Sequence, residues 1–115
     1  CNAYEFEMIK TVTEYSTQDL LRLTNQIIVT QGASGSTLIT DDGTHLIEAK
    51  HVGYAADPTG AGDAYRAGLL KGLISGSSIV DAAQMGATCA SFCVETTGTQ
   101  THHFTLDEFA QRNQN

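Results

Sequence analysis

Basic residues are scarce in this chain. Six Lys and Arg stand against 13 Asp and Glu, a formal net charge of −7. That balance argues against the broad positive surface that nucleic acid or an anionic membrane would need, so neither is expected as a partner. No apolar run approaches the roughly 20 residues of a membrane-crossing helix. Cysteine is too sparse, and odd in number, for a disulfide framework: Cys1, Cys89 and Cys93. Cys89 and Cys93 lie one helical turn apart, sharing a face but poorly placed to bond to each other. Thiols in that setting suit a reducing compartment, so a cytoplasmic location is expected. With His102 and His103 they make only a weak ligand set, and no structural zinc is expected. Cys1 rather than Met stands first, and no basic-then-apolar leader follows it. The expectation is a processed chain or a piece of a longer protein.

Proline is nearly absent too, and the single one, Pro58, opens the most informative stretch, Asp57-Pro58-Thr59-Gly60-Ala61-Gly62-Asp63. Pro58 fixes its own φ and disfavours the helical region at Asp57, so the chain arrives extended. Gly60 and Gly62 allow a sharp turn and a close approach by a ligand. Beyond them the apolar spacing becomes helical, with Ala64, Ala67, Leu70 and Ile74 predicted on one side. The first turn of such a helix has unpaired N–H groups and a partial positive charge, which suits an anion. Asp63 falls in the same turn, where a carboxylate either simply complements the helix dipole or takes a proton from an attacking hydroxyl. Anion cradle and base side by side are what moving a phosphoryl group onto an alcohol requires. Two other phosphate loops fail on spacing. A P-loop needs Lys then Ser or Thr after its last glycine, where this chain has Asp63-Ala64; a dinucleotide fingerprint needs a glycine where Tyr65 stands.

Elsewhere the chain reads as alternating helices and strands. Asn2 with Glu5 three residues on has capping-box spacing. Ser16 or Thr17 caps a second short helix. Gln26–Thr30 is a β-branched run without alternation, as a buried parallel strand would be. It ends in Thr30-Gln31-Gly32-Ala33-Ser34-Gly35, either a plain turn or a strand end where ligands gather. Ser36–Thr40 and His45–Ala49 predict a hairpin turning at Asp42-Gly43. Ser77 or Ser78 caps a helix over Ile79–Val94 that is apolar or small on nearly every side, hence buried on more than one face. Gly86 and Ala90 admit a neighbouring helix or a flat ligand. Thr105–Ala110 is a final capped helix, and 112–115 reads as a polar tail.

The stretch Asp57-Pro58-Thr59-Gly60-Ala61-Gly62-Asp63-Ala64-Tyr65 resembles the signature of the PfkB (ribokinase-like) family of sugar and nucleoside kinases. That signature is Asp-Thr-x-Gly-Ala-Gly-Asp, then a small and an aromatic residue; Pro58 replaces the usual Thr. Asn2 and Glu5 match the family's Asn-x-x-Glu motif, and Thr30, Gly32 and Gly35 its Thr-x-Gly-x-x-Gly. The resemblance implies an α/β, ribokinase-like fold: a mainly parallel sheet flanked by helices, with a β-hairpin insertion. It makes residues 1–115 the C-terminal nucleotide-binding and catalytic part of a longer kinase domain, since members run to roughly two to three times this length, the scale of a full α/β domain.

It further implies ATP-dependent phosphorylation of a hydroxyl on a sugar or nucleoside. Asp63 would be the base, with the amides of Gly60, Ala61 and Gly62 as the anion hole. Asn2 and Glu5 would order magnesium, largely through water. Thr30, Gly32 and Gly35 would touch the ribose and phosphates, Asp57 and Thr59 would belong to the nucleotide side, and Thr96–Gln100 would border the adenine. A potassium ion near the start of the signature and a homodimer of the full-length protein are compatible with the family. Arg66, in Asp-Ala-Tyr-Arg-Ala-Gly, is similar to the adenosine-kinase-like bacterial branch and would face the acceptor, or it pairs with Asp63 at the surface. The acceptor pocket and lid would come mostly from the absent N-terminal half, so this chain alone is expected to be inactive. The competing reading is a non-catalytic nucleotide-binding or interaction module, whose appeal is the chain's length.

Overall fold

In the computed structural model, which describes residues 1–115, Asn2 caps the first helix as its spacing predicts. The Glu5 amide donates to Asn2 Oδ1 and the Asn2 amide to Glu5 Oε2, both at 2.8 Å, opening α1 (Ala3–Thr13). Ser16 and Asp19 make the same reciprocal box for α2 (Thr17–Thr24). This helix stops at Asn25, whose left-handed φ of 63° lets its amide donate back to the Leu21 carbonyl.

Three strands follow: β1 (Gln26–Thr30), β2 (Ser36–Thr40) and β3 (Gly43–Ile47). They form one sheet in the order β1-β2-β3, antiparallel throughout, with Val29 opposite Thr37 and Leu38 opposite His45. Phe6, Leu21, Val29, Leu38 and Ile47 are the buried apolar residues of this first unit, Cys1–Ile47.

The mainly parallel sheet expected from the sequence is therefore corrected within this chain. An unbroken apolar run reports how a strand is covered, not the direction of its neighbour. The connection from β1 to β2 decides direction: a parallel return needs a crossover of about a dozen residues, and Gln31–Gly35 is far too short. One parallel pairing does exist, an isolated bridge between Asn2 and Thr30, with the Thr30 amide donating to the Cys1 carbonyl at 2.9 Å. The hairpin turn also lies one residue earlier than expected. Thr40 pairs with Gly43, so Asp41 and Asp42 form the loop. Neither Asp takes a positive φ; Gly43 takes it instead, at 137°.

The second unit, Glu48–Asn115, consists of α3 (Ala61–Ile74), α4 (Ile79–Val94) and α5 (Leu106–Gln114) with their loops. Ser78 caps α4, its Oγ accepting from the Asp81 amide, and Thr105 makes a capping box with Glu108 for α5. α3 packs against α4 through small residues. A Cβ added to Gly72 would stand 2.7 Å from Ala82 Cβ, and one on Gly86 would stand 2.8 Å from the Tyr65 carbonyl oxygen. The close approach predicted at Gly86 is thus made by a helix.

The buried face of α3 shares only Ala64 with the expected one. Ala64, Tyr65, Gly68 and Gly72 are buried, whereas Ala67 is exposed and Leu70 and Ile74 are 55% and 83% exposed. Apolar spacing scores the bulky residues, but α4 approaches where bulk is missing. α4 is buried on several faces as predicted, at Ala82, Ala83, Gly86, Ala87, Thr88, Ser91 and Cys93. The polar tail is corrected as well: α5 continues to Gln114, Arg112 pairs with Glu95, and Asn113 Oδ1 accepts from the buried Thr88 hydroxyl at 2.8 Å.

Candidate functional site

The second unit holds the signature loop. Its chain is pinned before the helix begins: the Ala56 and Asp57 amides both donate to the Val94 carbonyl, at 2.7 and 3.2 Å. Asp57 then folds its carboxylate over the loop. Oδ1 accepts from the Thr59 amide at 2.9 Å and Oδ2 from the Gly98 amide at 3.1 Å. Gly60 is the N-cap of α3 at φ 86°, a conformation favouring glycine. A Cβ there would also meet Thr99 Cα at 2.9 Å.

No side chain caps α3. Ala61 donates its amide to the Pro58 carbonyl at 3.2 Å and Ala64 to Gly60, while no acceptor within the chain takes the amides of Gly60, Gly62 or Asp63. Three unpaired donors thus stand at the positive end of a 14-residue helix, the arrangement that favours an anion. Of the three amides expected to form the hole, Ala61's is the one already engaged. Gly62 is exposed, and a Cβ on it would meet nothing within 4 Å. The fold does not require a glycine there.

Asp63 lies in the first turn of α3, as predicted, and its side chain is 83% exposed. Arg66 Nη1 donates to its Oδ1 at 2.8 Å. The surface pair of Arg66 with Asp63 is thus present. Beneath the loop, the buried Cys93 Sγ donates to the Thr59 carbonyl at 3.6 Å. Burial first, then the charges of Asp57 and Asp63, push its thiol pKa up, so it stays a donor.

Hydrogen bonds from the Thr59 side chain and amide, and from the Gly98 amide, hold the Asp57 carboxyl below the usual carboxylate range. A carboxyl depressed in the folded state stabilises above its unfolded pKa of about 3.9 and loses that contribution as pH falls through the folded value. The capping acids Asp19 and Glu108 are lowered in the same sense, each mainly by bonds from its own cap residue. We therefore expect stability to fall below about pH 4. Thermal unfolding across that range should show a shallower acid limb for Asp57→Asn than for the natural protein. An identical limb would remove Asp57 from the account.

The first unit carries the other candidates. Asn2 and Glu5 are committed to each other in the α1 capping box. Thr30 ends β1 with its amide and hydroxyl both directed to the Cys1 carbonyl. Gly32 and Gly35 bracket a 3₁₀ turn, Gly32–Ser34, closed by Gln31 and Gly35 bonding across it. Gly35 has φ 87° and ψ −140°, a backbone region that glycine alone occupies readily. No group of three or more His, Cys, Asp or Glu side chains in the chain could hold a metal, and no helix is long and apolar enough to cross a membrane. Sequence reasoning missed Gly98, Thr99 and the Val94 carbonyl as partners of the loop. Only the glycine in 96–100 hinted at them, and Gly98 does take a positive φ of 98°.

Residues 1–105 match the model of the pfkB family carbohydrate kinases. A nucleoside kinase of Methanocaldococcus jannaschii is 38% identical over 111 residues, covering 96% of this chain and 37% of that protein. Its crystal structure, described as an archaeal member of the ribokinase family, matches 98% of this chain and 38% of its own at a TM-score of 0.92. Burkholderia thailandensis nucleoside kinase, in complex with ADP-inosine, is 31% identical with a TM-score of 0.94, over 98% of this chain and 35% of its own. An inositol 3-kinase of Zea mays is 39% identical over 77 residues, which are 67% of this chain and 20% of that protein. The fold is the ribokinase-like α/β class, present in part, and the chain spans a little over a third of the Methanocaldococcus jannaschii nucleoside kinase. It belongs to the pfkB family of carbohydrate kinases.

Proposed function

We propose that the intact protein transfers a phosphoryl group from ATP to a hydroxyl of a small acceptor, a nucleoside before a sugar, and that residues 1–115 are its C-terminal nucleotide-binding and catalytic part. The observation that carries this reading is the head of α3: unpaired amides at Gly60, Gly62 and Asp63, an exposed carboxylate in the same turn, and a glycine the fold does not need. The preference for a nucleoside rests on the nucleoside kinases among the relatives.

In the transfer, Asp63 Oδ2 accepts the acceptor's hydroxyl proton while the oxygen bonds to the γ-phosphorus of ATP and the bond from that phosphorus to the bridging oxygen breaks, releasing ADP. The amides of Gly60 and Gly62, with Ala61 beside them, stabilise the charge spread over the transferred group, fixed in place before the reaction begins. Arg66, paired to Oδ1, orients the carboxylate and lies on the acceptor side. Asp57 and Thr59 hold the loop in shape. In the first unit, Thr30, Gly32 and Gly35 offer backbone for the ribose and phosphates.

Asn2 and Glu5 suit a magnesium ion held mainly by phosphate and water oxygens, because Glu5 has a second carboxylate oxygen beyond the one in the cap. Such an ion neutralises phosphate charge. The three free thiols fit a reducing cytoplasm, and the acidic balance speaks against nucleic acid and anionic membrane as partners.

The test is to incubate the intact protein with ATP, magnesium, potassium and a panel of adenosine, inosine, ribose, fructose and inositol. ADP release that depends on a nucleoside is expected; no acceptor-dependent release across the panel would overturn the proposal. Gly62→Val adds a second measurement. It should raise the KM for ATP roughly tenfold or more, the scale of a lost charge-assisted hydrogen bond, with the circular dichroism spectrum unchanged. Unchanged ATP kinetics would remove the anion-hole role.

A further inference from the structure

α5 lies beyond the stretch that matches the family, which ends at residue 105, yet it is tied to the loop that carries the candidate site. The tie runs through Arg112. Its Nη1 donates to Glu95 Oε2 at 2.9 Å and to Ser91 Oγ at 3.1 Å. Its guanidinium also lies 3.7 Å from the centre of the Phe92 ring. Phe92 in turn stacks on Phe104, and Phe104 on Phe109 of α5. Arg112 and Glu95 are 25% and 30% exposed, so this pair is more shielded than the Asp63–Arg66 pair.

All three partners of Arg112 sit at the C-terminal end of α4. The last turn of α4 has no basic residue of its own, so Arg112 supplies the positive charge that a helix C-terminus favours. The same end of α4 is the platform for the signature loop. The Val94 carbonyl takes the Ala56 and Asp57 amides, and Cys93 Sγ donates to the Thr59 carbonyl. Asp57 then joins Thr59 to Gly98, and Gly60 packs on Thr99.

We propose that Arg112 is a positioning residue for the phosphate-binding loop: by clamping the last turn of α4 through Ser91, Phe92 and Glu95, it sets the geometry of the amides at Gly60 and Gly62. It touches no substrate. Its planar fork suits this task, since one guanidinium must bond two acceptors and lie on a ring at once. The proposal rests on the reading of that loop as the ATP site.

The experiment uses the intact protein with Arg112→Ala, Arg112→Lys and Glu95→Gln, read in two ways. The first is steady-state kinetics. Arg112→Ala should raise the KM for ATP about tenfold with the KM for the acceptor unchanged, and Arg112→Lys should recover only part of it, because charge is restored but the fork is not. A purely structural role would lower the active fraction and leave the KM for ATP where it was, which would overturn the proposal. The second is amide hydrogen exchange, which needs no activity. The Ala56 and Asp57 amides should exchange at least tenfold faster in Arg112→Ala, with β1 and β2 unchanged. If Arg112→Ala does not fold, Glu95→Gln carries the same two expectations at smaller size. Exchange rates at 56 and 57 that match the natural protein in every folded variant would overturn the proposal. Faster exchange in a protein that turns over no acceptor would keep the clamp and reject the ATP reading instead.

Discussion

Asp63→Asn in the intact protein should lower kcat by about 10²–10⁴, the usual worth of a general base, while ATP binding stays nearly intact. Asn keeps the size and one acceptor oxygen of Asp but cannot take a proton. The substitution is also structurally mild here. Asp63 is 83% exposed and its one recorded side-chain bond is to Arg66 on the next turn of the same helix. The amides at the head of α3 do not depend on the carboxylate, so nucleotide titrations should show little change. Single-turnover measurement with saturating ATP separates the chemical step from binding. A variant that retains near-natural turnover would end the assignment of Asp63 as base, whatever the acceptor proves to be.

Gly68→Ala should have the largest effect on stability of any single methyl group added to α3. Its Cβ would stand 2.5 Å from the Met85 carbonyl oxygen, 2.8 Å from the Met85 carbonyl carbon and 2.9 Å from Cys89 Sγ. Two of these are backbone atoms of α4, which cannot swing aside as a side chain can. Overpacking of this kind costs about 1–3 kcal/mol, occasionally more. The control is Gly62→Ala on the same helix, where the new Cβ meets nothing within 4 Å. Alanine's better helix propensity, up to about 1 kcal/mol over glycine, should leave that variant as stable as the natural protein or more so. Urea unfolding of both variants decides the matter. A Gly68→Ala midpoint equal to that of Gly62→Ala would show that α3 and α4 can part at no cost, and the packing account would fail.

These two positions also show how far sequence reading reaches into structure. The place of Asp63 was legible because it is set locally: a loop with Pro58, Gly60 and Gly62, a helix start, and a carboxylate in the first turn. Gly68 was illegible because a glycine in a helix looks like a weak point rather than a contact. The apolar spacing pointed to Leu70 and Ile74 instead, and both lie in solvent in this chain.

The elements that the amino-acid sequence determined by itself are those whose partners sit within a few residues. Asn2 with Glu5, Ser16 with Asp19, Ser78 with Asp81 and Thr105 with Glu108 all satisfy a helix start across three positions, so the residue types alone place these starts to within one residue. The signature loop and its family membership are local in the same sense. The direction of β1 against β2 is local too, set by the short chain between them rather than by the strands' own residues. Tertiary structure alone decided the rest. The joining of Asp57 to Gly98 crosses 41 positions, and the Arg112–Glu95 pair crosses 17. Such pairs form only where packed helices bring distant groups within hydrogen-bond reach. A helix of small residues admits several packings, and the one adopted is chosen by how closely the two backbones can approach at Gly68, Gly72 and Gly86.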